Sequence, residues 1–272
     1  MKNYSCNPKS MIVGVFHNKD LILELVKRDV IGRYRGSIMG LLWSFFYPIL
    51  MLTIYTFVFS VVFKARWAGG AGSKTEFALA LFCGLIVFGL FSECVARAPG
   101  LITGNVNYVK KVIFPLEVFP LVSLGASTFH FFVSLLVWLI FYIIFFGVPL
   151  VSFLLLPIVV LPLIFFTLGG SWILASLGVY LRDVSQIIGV IITVLMYLSP
   201  VFYPVSAIPE RFHFYMHLNP LTFAIEQSRS IMIFGGGIDW LKWACQMGSA
   251  LMFAWGGFAW FQKTRQGFAD VL

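Results

Sequence analysis

Two places in this sequence carry residue types at spacings that suit chemistry. The string Gly69-Gly70-Ala71-Gly72-Ser73-Lys74-Thr75 has the look of a phosphate-binding loop. Such a loop needs Gly-x-x-x-x-Gly-Lys-Ser/Thr after a strand, because its glycines let backbone N–H groups cradle the phosphates. Ala68 and Ser73 stand where the two glycines belong, so ATP binding of that kind is not expected. His213 and His217 are four apart and share a helix face. A zinc site wants three or four ligands and carboxylates that orient the rings. No acidic residue stands in register, so both read as interfacial histidines. His17 and His130 stand alone, and neither a Ser/His/Asp arrangement nor a pair of carboxylates in one segment is present. Glu93 and Arg97, at i and i+4, read as a buried pair that lessens the penalty of charge in an apolar helix. Cys6, Cys83, Cys94 and Cys245 form no Cys-x-x-Cys pair, and the last three lie in or beside apolar runs as small hydrophobes.

The elements that must position these groups follow from composition. Of 272 residues, 60% are hydrophobic and 11% charged, and the mean hydropathy is +0.94. Soluble domains carry about 25% charged residues. So few charges cannot cover a chain of this size in water, which excludes a cytosolic enzyme, a secreted disulfide scaffold and a disordered protein. A membrane helix needs roughly 20 mostly apolar residues. Six stretches meet this, at 38–63, 77–96, 118–146, 152–181, 184–203 and 240–261, with no internal repeat. The run 11–16 is too short for a signal peptide and is followed by charge. The net charge of +8 does not point to nucleic acid, because the cations sit in short flanks between apolar runs. Thirteen of the 19 Lys and Arg fall in the segments that an inside N-terminus places inside, and six outside. That bias puts both termini in the cytoplasm. The expected organisation is residues 1–37 as a cytoplasmic N-terminus, 38–262 as a six-helix membrane domain and 263–272 as a cytoplasmic tail.

Two stretches break the simple pattern. Residues 20–35 have helical spacing but too much charge to insert: Ile22, Leu23, Val26 and Val30 make one face, and Glu24 can pair with Arg28. An amphipathic helix with basic residues on its polar face lies in the interface plane. Residues 199–239 are too long for a turn and too apolar for a solvated loop. Pro200, Pro204, Pro209 and Pro220 divide them, Asn219-Pro220 reads as an N-cap followed by proline at the first helical position, and Glu226 can pair with Arg229. Two short half-helices dipping back from the outer face fit, and such backbone survives only beside protein or water.

Three blocks carry a resemblance. The first runs Leu25-Val26-Lys27-Arg28-Asp29-Val30-Ile31-Gly32-Arg33-Tyr34-Arg35, through Ser37, Gly40, Leu42 and Trp43 to Pro48; the second is Asn105-Val106-Asn107-Tyr108-Val109-Lys110-Lys111-Val112-Ile113-Phe114-Pro115-Leu116-Glu117. The third is Arg182-Asp183, then Ser199-Pro200-Val201-Phe202-Tyr203-Pro204, then Asn219-Pro220 with Glu226 and Arg229. Together, in order over nearly the whole chain, they resemble the transmembrane subunit of type-2 ABC exporters, specifically the polysaccharide permeases of O-antigen, teichoic acid and capsule. The resemblance implies an all-α membrane protein of six transmembrane helices. It adds an N-terminal amphipathic interface helix, a cytoplasmic coupling helix within about 97–117 and a re-entrant periplasmic segment at about 199–239. It implies a homodimer in the bacterial inner membrane, paired with two copies of an ABC ATPase subunit that hold ATP and magnesium. This chain would hold no cofactor and perform no catalysis. The cargo would be an undecaprenyl-diphosphate-linked polysaccharide. Docking on the ATPase would fall to Asn105, Lys110, Lys111, Val112, Pro115 and Glu117.

Residues extend that expectation. Trp43, Tyr47, Met51, Tyr55 and Phe59 recur every four positions and make one slowly drifting ridge. Tyrosine rings offer an apolar face to sugar C–H groups and a hydroxyl to sugar oxygens, so Trp43, Tyr47, Tyr55 and Phe59 are candidates for a glycan conduit. An ordinary packing ridge has the same spacing. Arg33, Arg35, Lys110 and Lys111 are the nearest inner cations for a lipid diphosphate, with topology and headgroup contact as the plainer reading. A capsule, teichoic acid, lipid or drug permease is the alternative. A membrane-embedded glycolipid transferase would need clustered acids in inner loops, where only Glu117 and Asp183 stand. A secondary transporter would need intramembrane ionisable residues beyond Glu93.

Overall fold

The computed structural model describes residues 6–58, 73–110 and 114–272, and among them every regular element is helical. Four helical stretches are long and apolar enough to cross a bilayer: Gly40–Val58, Thr75–Arg97, Val118–Phe146 and Val151–Tyr180. They contain α3 (Trp43–Tyr55), α4 (Lys74–Arg97), α7 (Val118–Phe146) and α8 (Leu156–Tyr180). Two expected spans differ. The fifth, expected over 184–203, is the 15-residue α9 (Val184–Leu198), because Ser199 turns extended and Pro200 has no N–H to continue the ladder. At about 1.5 Å per residue that helix falls short of a bilayer core of about 30 Å. The sixth is α12 (Trp240–Thr264), 25 residues long but diluted by Lys242, Gln246, Ser249 and Gln262.

α4 is the central helix. Ser73, the last residue of the phosphate-loop-like string to be described before α4, caps it by accepting the Glu76 N–H at 3.1 Å. On one side α7 is stitched to it by Trp138 Nε1, which donates to the Leu79 carbonyl at 3.0 Å. On another lies α11 (Pro220–Ile233), whose start has the expected form: Pro220 at the first position and the Asn219 side chain accepting from Leu221 N at 3.0 Å. α11 buries Leu221, Ala224, Ile225, Ile231 and Met232 between α4 and α8. The short α10 (His213–Leu218) precedes it, so the 199–239 segment does hold two helical pieces, of 6 and 14 residues.

α8 and α12 are packed through missing side chains. A Cβ on Gly257 would stand 2.3 Å from the Gly169 carbonyl oxygen, and one on Gly169 would stand 2.8 Å from Ala254 Cα. Small residues let two backbones approach where lipid supplies no hydrophobic drive. Gly147 ends α7 at φ 81°, a left-handed conformation that disfavours other residues.

Several of the segments that the sequence places inside meet at one end of the bundle, where Arg28 contacts Tyr108 and Arg265 contacts Glu117. α1 (Pro8–His17) was not anticipated: the short run 11–16 forms a helix whose Ile12, Val13 and Phe16 stay exposed. α2 (Lys19–Tyr34) is the expected charged helix, but its inward residues are Leu25 and Val30, and Leu23 faces outward. Its Glu24–Arg28 pair does not form; Arg28 Nη1 donates to the Tyr108 hydroxyl at 3.1 Å. Here too lie α5 (Gly100–Thr103), α6 (Val106–Val109) and the terminal α13 (Phe268–Val271). Phe268 is fully buried against Phe261 and Tyr180. Of the cysteines, Cys83 and Cys94 are buried as expected, whereas Cys245 is exposed on α12.

Candidate functional site

Along α3 the aromatic ridge borders a cavity of about 660 Å³, with Trp43, Tyr47, Met51 and Tyr55 on its wall. Phe59 lies outside the described residues. α4, α7 and α9 complete the wall, α9 through Ile192 and Met196. Trp43 and Tyr47 are 43% and 61% exposed, whereas Met51 and Tyr55 are half-buried and Tyr55 packs against Phe77, Ala80 and Leu81. Toward the Pro200 turn the aromatics continue, with Phe202 centred 6.0 Å from Tyr55 and 5.8 Å from Tyr197. Arg229 fixes that turn. It is 2% exposed and donates to the carbonyls of Ala80 (2.9 Å), Pro200 (3.0 Å) and Val201 (3.1 Å) and to Glu226 (3.1 Å), the pair expected from sequence.

At its other end the cavity is floored by charge. Arg33, Tyr34, Glu93 and His130 line it together with Ser44, Ser92, Ser127 and Ser134. The Glu93–Arg97 pair expected within α4 is absent, because both residues have better partners on other helices. Arg97 is bidentate to Asp29, at 2.8 and 2.7 Å. Glu93 takes Arg33 and His130 Nδ1, the latter at 2.9 Å. His130 is therefore not isolated: Tyr34 OH lies 2.9 Å from its Nε2. His130 Nδ1 also lies 3.1 Å from Arg33 Nη1, so the imidazole is held between Glu93, Arg33 and the Tyr34 hydroxyl. Asp29 also lies 3.3 Å from Arg33. Arg33 and Arg97 together therefore face Asp29 and Glu93. Burial pushes the Asp29 carboxyl up, but the hydrogen bonds and charge of Arg97, with those of Arg33, outweigh it and hold it below the usual carboxylate range. Burial raises the Tyr34 hydroxyl.

Sequence reading missed Asp29, Tyr34 and His130. A polar residue in the otherwise apolar α7 was a signal for His130. The matching i,i+4 acid–base spacings of Asp29/Arg33 and Glu93/Arg97 were another. Of the four candidate diphosphate contacts, Arg33 is committed to the floor, Arg35 is exposed as the residue that ends α2, Lys110 is exposed, and Lys111 lies outside the described residues.

The expected coupling segment folds as two single turns. Lys110 is exposed, Asn105 is half-buried with its Nδ2 donating to the Leu101 carbonyl at 2.9 Å, and Pro115 is half-buried. Lys111 and Val112 lie outside the described residues. Glu117 faces into the protein: its carboxylate takes Arg265 Nη1, and its carbonyl takes Trp172 Nε1 at 3.1 Å. Arg265 also donates to the Phe114 carbonyl at 2.7 Å, so the C-terminal end of α12 clamps the segment. Among the described residues no group of three His, Cys, Asp or Glu is placed to hold a metal.

Residues 20–233 match the family described as ABC-2 type transporter. The chain is 28% identical to an O-antigen export system permease protein of Klebsiella pneumoniae, over 93% of this chain and 95% of the relative. A protein of the same description from Myxococcus xanthus is 27% identical over 96% of this chain and 99% of its own. A polysialic acid transport protein of Escherichia coli is 24% identical over 80% and 83%. The match covers α2 through α11, cavity and charged floor included, and the chain belongs to the ABC-2 type transporter membrane family.

Proposed function

We propose that this chain is the permease subunit of an exporter that moves an undecaprenyl-diphosphate-linked polysaccharide of O-antigen kind across the bacterial inner membrane. A separate ATPase subunit drives it, and the chain acts as a homodimer with both termini in the cytoplasm. The observation that carries the reading is the aromatic wall of the cavity, exposed at Trp43 and Tyr47. A sliding glycan needs contacts that are individually modest and interchangeable between sugars, and stacking on Trp43, Tyr47 and Tyr55 meets that need. The relatives support it by their descriptions and by alignment over nearly their whole length. In this reading the four long apolar stretches are joined by the shorter α9 and the more polar α12 to make six spans. A capsular glycan is the second reading, favoured by the Escherichia coli relative.

For the lipid diphosphate, exposed Arg35 is favoured over Arg33, which is already paired with Glu93 and Asp29. For the ATPase, exposed Lys110 is the docking residue, and Glu117 shapes the segment from behind through Arg265. The test is co-purification from the membrane with the ATPase encoded beside it, and a cysteine at Lys110 that crosslinks to that subunit. Failure of both, or ATP hydrolysis by the isolated chain, overturns the proposal.

A further inference from the structure

α2 and α4 each carry an acid and a base one turn apart, Asp29 with Arg33 and Glu93 with Arg97. In the structure the four are paired across the helices, Arg97 to Asp29 and Arg33 to Glu93. A second complete pairing exists, in which each helix satisfies its own charges at i,i+4. It is half formed already, since Arg33 lies 3.3 Å from Asp29. Pulling such a half-buried pair apart leaves charge without a partner. Exchanging partners leaves none.

The surroundings suit such an exchange. α2 grips α7 by apolar contact: Leu25 packs on Val118 and Val122, and Val26 Cγ2 lies 2.5 Å from where a Cβ on Gly125 would be. Its link to α4 is made by the charges. Beside the Asp29–Arg97 pair is a chamber of about 110 Å³ bordered by Arg28, Asn105 and Ser123. Ser123 is 1% exposed and its hydroxyl has no hydrogen-bond partner. At about 30 Å³ per water the chamber holds three or four, enough to solvate the groups while they change partners. Arg28 on α2 holds Tyr108 of α6, so a displacement of the docking segment is felt at α2. His130 stays on Glu93 in either pairing and keeps α4 tied to α7.

We propose that Asp29, Arg33, Glu93 and Arg97 form a partner-exchange clasp. Cross-paired, it holds α2 and Arg33 against the floor of the cavity. Self-paired, it frees α2 to pivot on the Val26–Gly125 contact and opens the floor to the headgroup of a lipid-linked substrate. This rests on the export reading above. Two double variants of unchanged net charge test it in the full chain, expressed with its ATPase subunit. Asp29→Arg with Arg97→Asp permits cross-pairing but sets like charges within each helix. Asp29→Arg with Arg33→Asp permits self-pairing but sets like charges across. The first should bind the ATPase subunit, protect α2 amides from hydrogen exchange better than wild type, and export at a tenth of the wild-type rate or less. The second should bind the subunit and exchange α2 amides at least tenfold faster. Wild-type export by the first variant overturns the clasp, and so does wild-type exchange of the α2 amides in the second. Wild-type protein that neither binds the ATPase nor exports would instead overturn the export reading.

Discussion

Arg229→Leu is expected to act on the Pro200 turn more than on α11 itself. The Ala80 carbonyl lies within α4, whose own ladder still serves it. The carbonyls of Pro200 and Val201 lie in the turn after α9 and would lose their donor. A buried acceptor left without a partner costs about 1–3 kcal/mol, so the two together cost about 2–6 kcal/mol. Glu226 is 38% exposed, and loss of its ion pair adds little. At roughly 2–4 °C per kcal/mol for a chain of this size, the detergent-solubilised protein should melt roughly 5 °C or more below wild type. Gly84→Ala approaches the same contact from the other side, because a Cβ there would lie 2.8 Å from Arg229 Nη2 and 3.3 Å from the Val201 oxygen. It should lose part of the same stability. Export should fall in both, since the turn carries Phe202 against Tyr55. An Arg229→Leu protein that melts within about 1 °C of wild type and exports normally would refute this reasoning.

Replacing Tyr47 and Tyr55 together by alanine should slow export severalfold while insertion and ATPase binding persist, since each contact contributes about 1 kcal/mol; normal export would return both to ordinary packing. Gly257→Val should force α8 and α12 apart at the Gly169 carbonyl and destabilise by about 1–3 kcal/mol, read as a lower melting temperature. The depressed carboxyl of Asp29 stabilises the docked α2 above the unfolded value of about 3.9, and that contribution is lost as pH falls through the lower folded value. Hydrogen exchange of α2, corrected for intrinsic rate, should therefore stay constant from neutral pH to about pH 4 and rise only below it.

Much of this architecture was legible because each element depends on local pattern. The long apolar runs gave α4, α7 and α8 nearly to their ends, and Asn219-Pro220 gave the start of α11, because an N-cap and a proline need no distant partner. The aromatic ridge was legible as a four-residue recurrence, and the cavity it borders needed α9 to stand opposite. What failed was pairing between helices. Glu93 and Arg97 sit at ideal i,i+4 spacing, yet each finds its partner on another helix, and sequence spacing says nothing about groups 60 or more positions apart. Glu117 likewise turns inward to an arginine 148 residues away. The 11–16 run was read as too short for a signal peptide and as followed by charge, and the helix it forms went unnoticed.

The most direct test reconstitutes the purified chain with its ATPase subunit in proteoliposomes and supplies a lipid-diphosphate-linked glycan on the ATPase side. ATP should drive the glycan to the opposite face, with hydrolysis stimulated by the glycan and export slowed by the Tyr47/Tyr55 double alanine variant. ATP-dependent movement that ignores the glycan, or an assembled complex that leaves the glycan where it was loaded, would contradict the account.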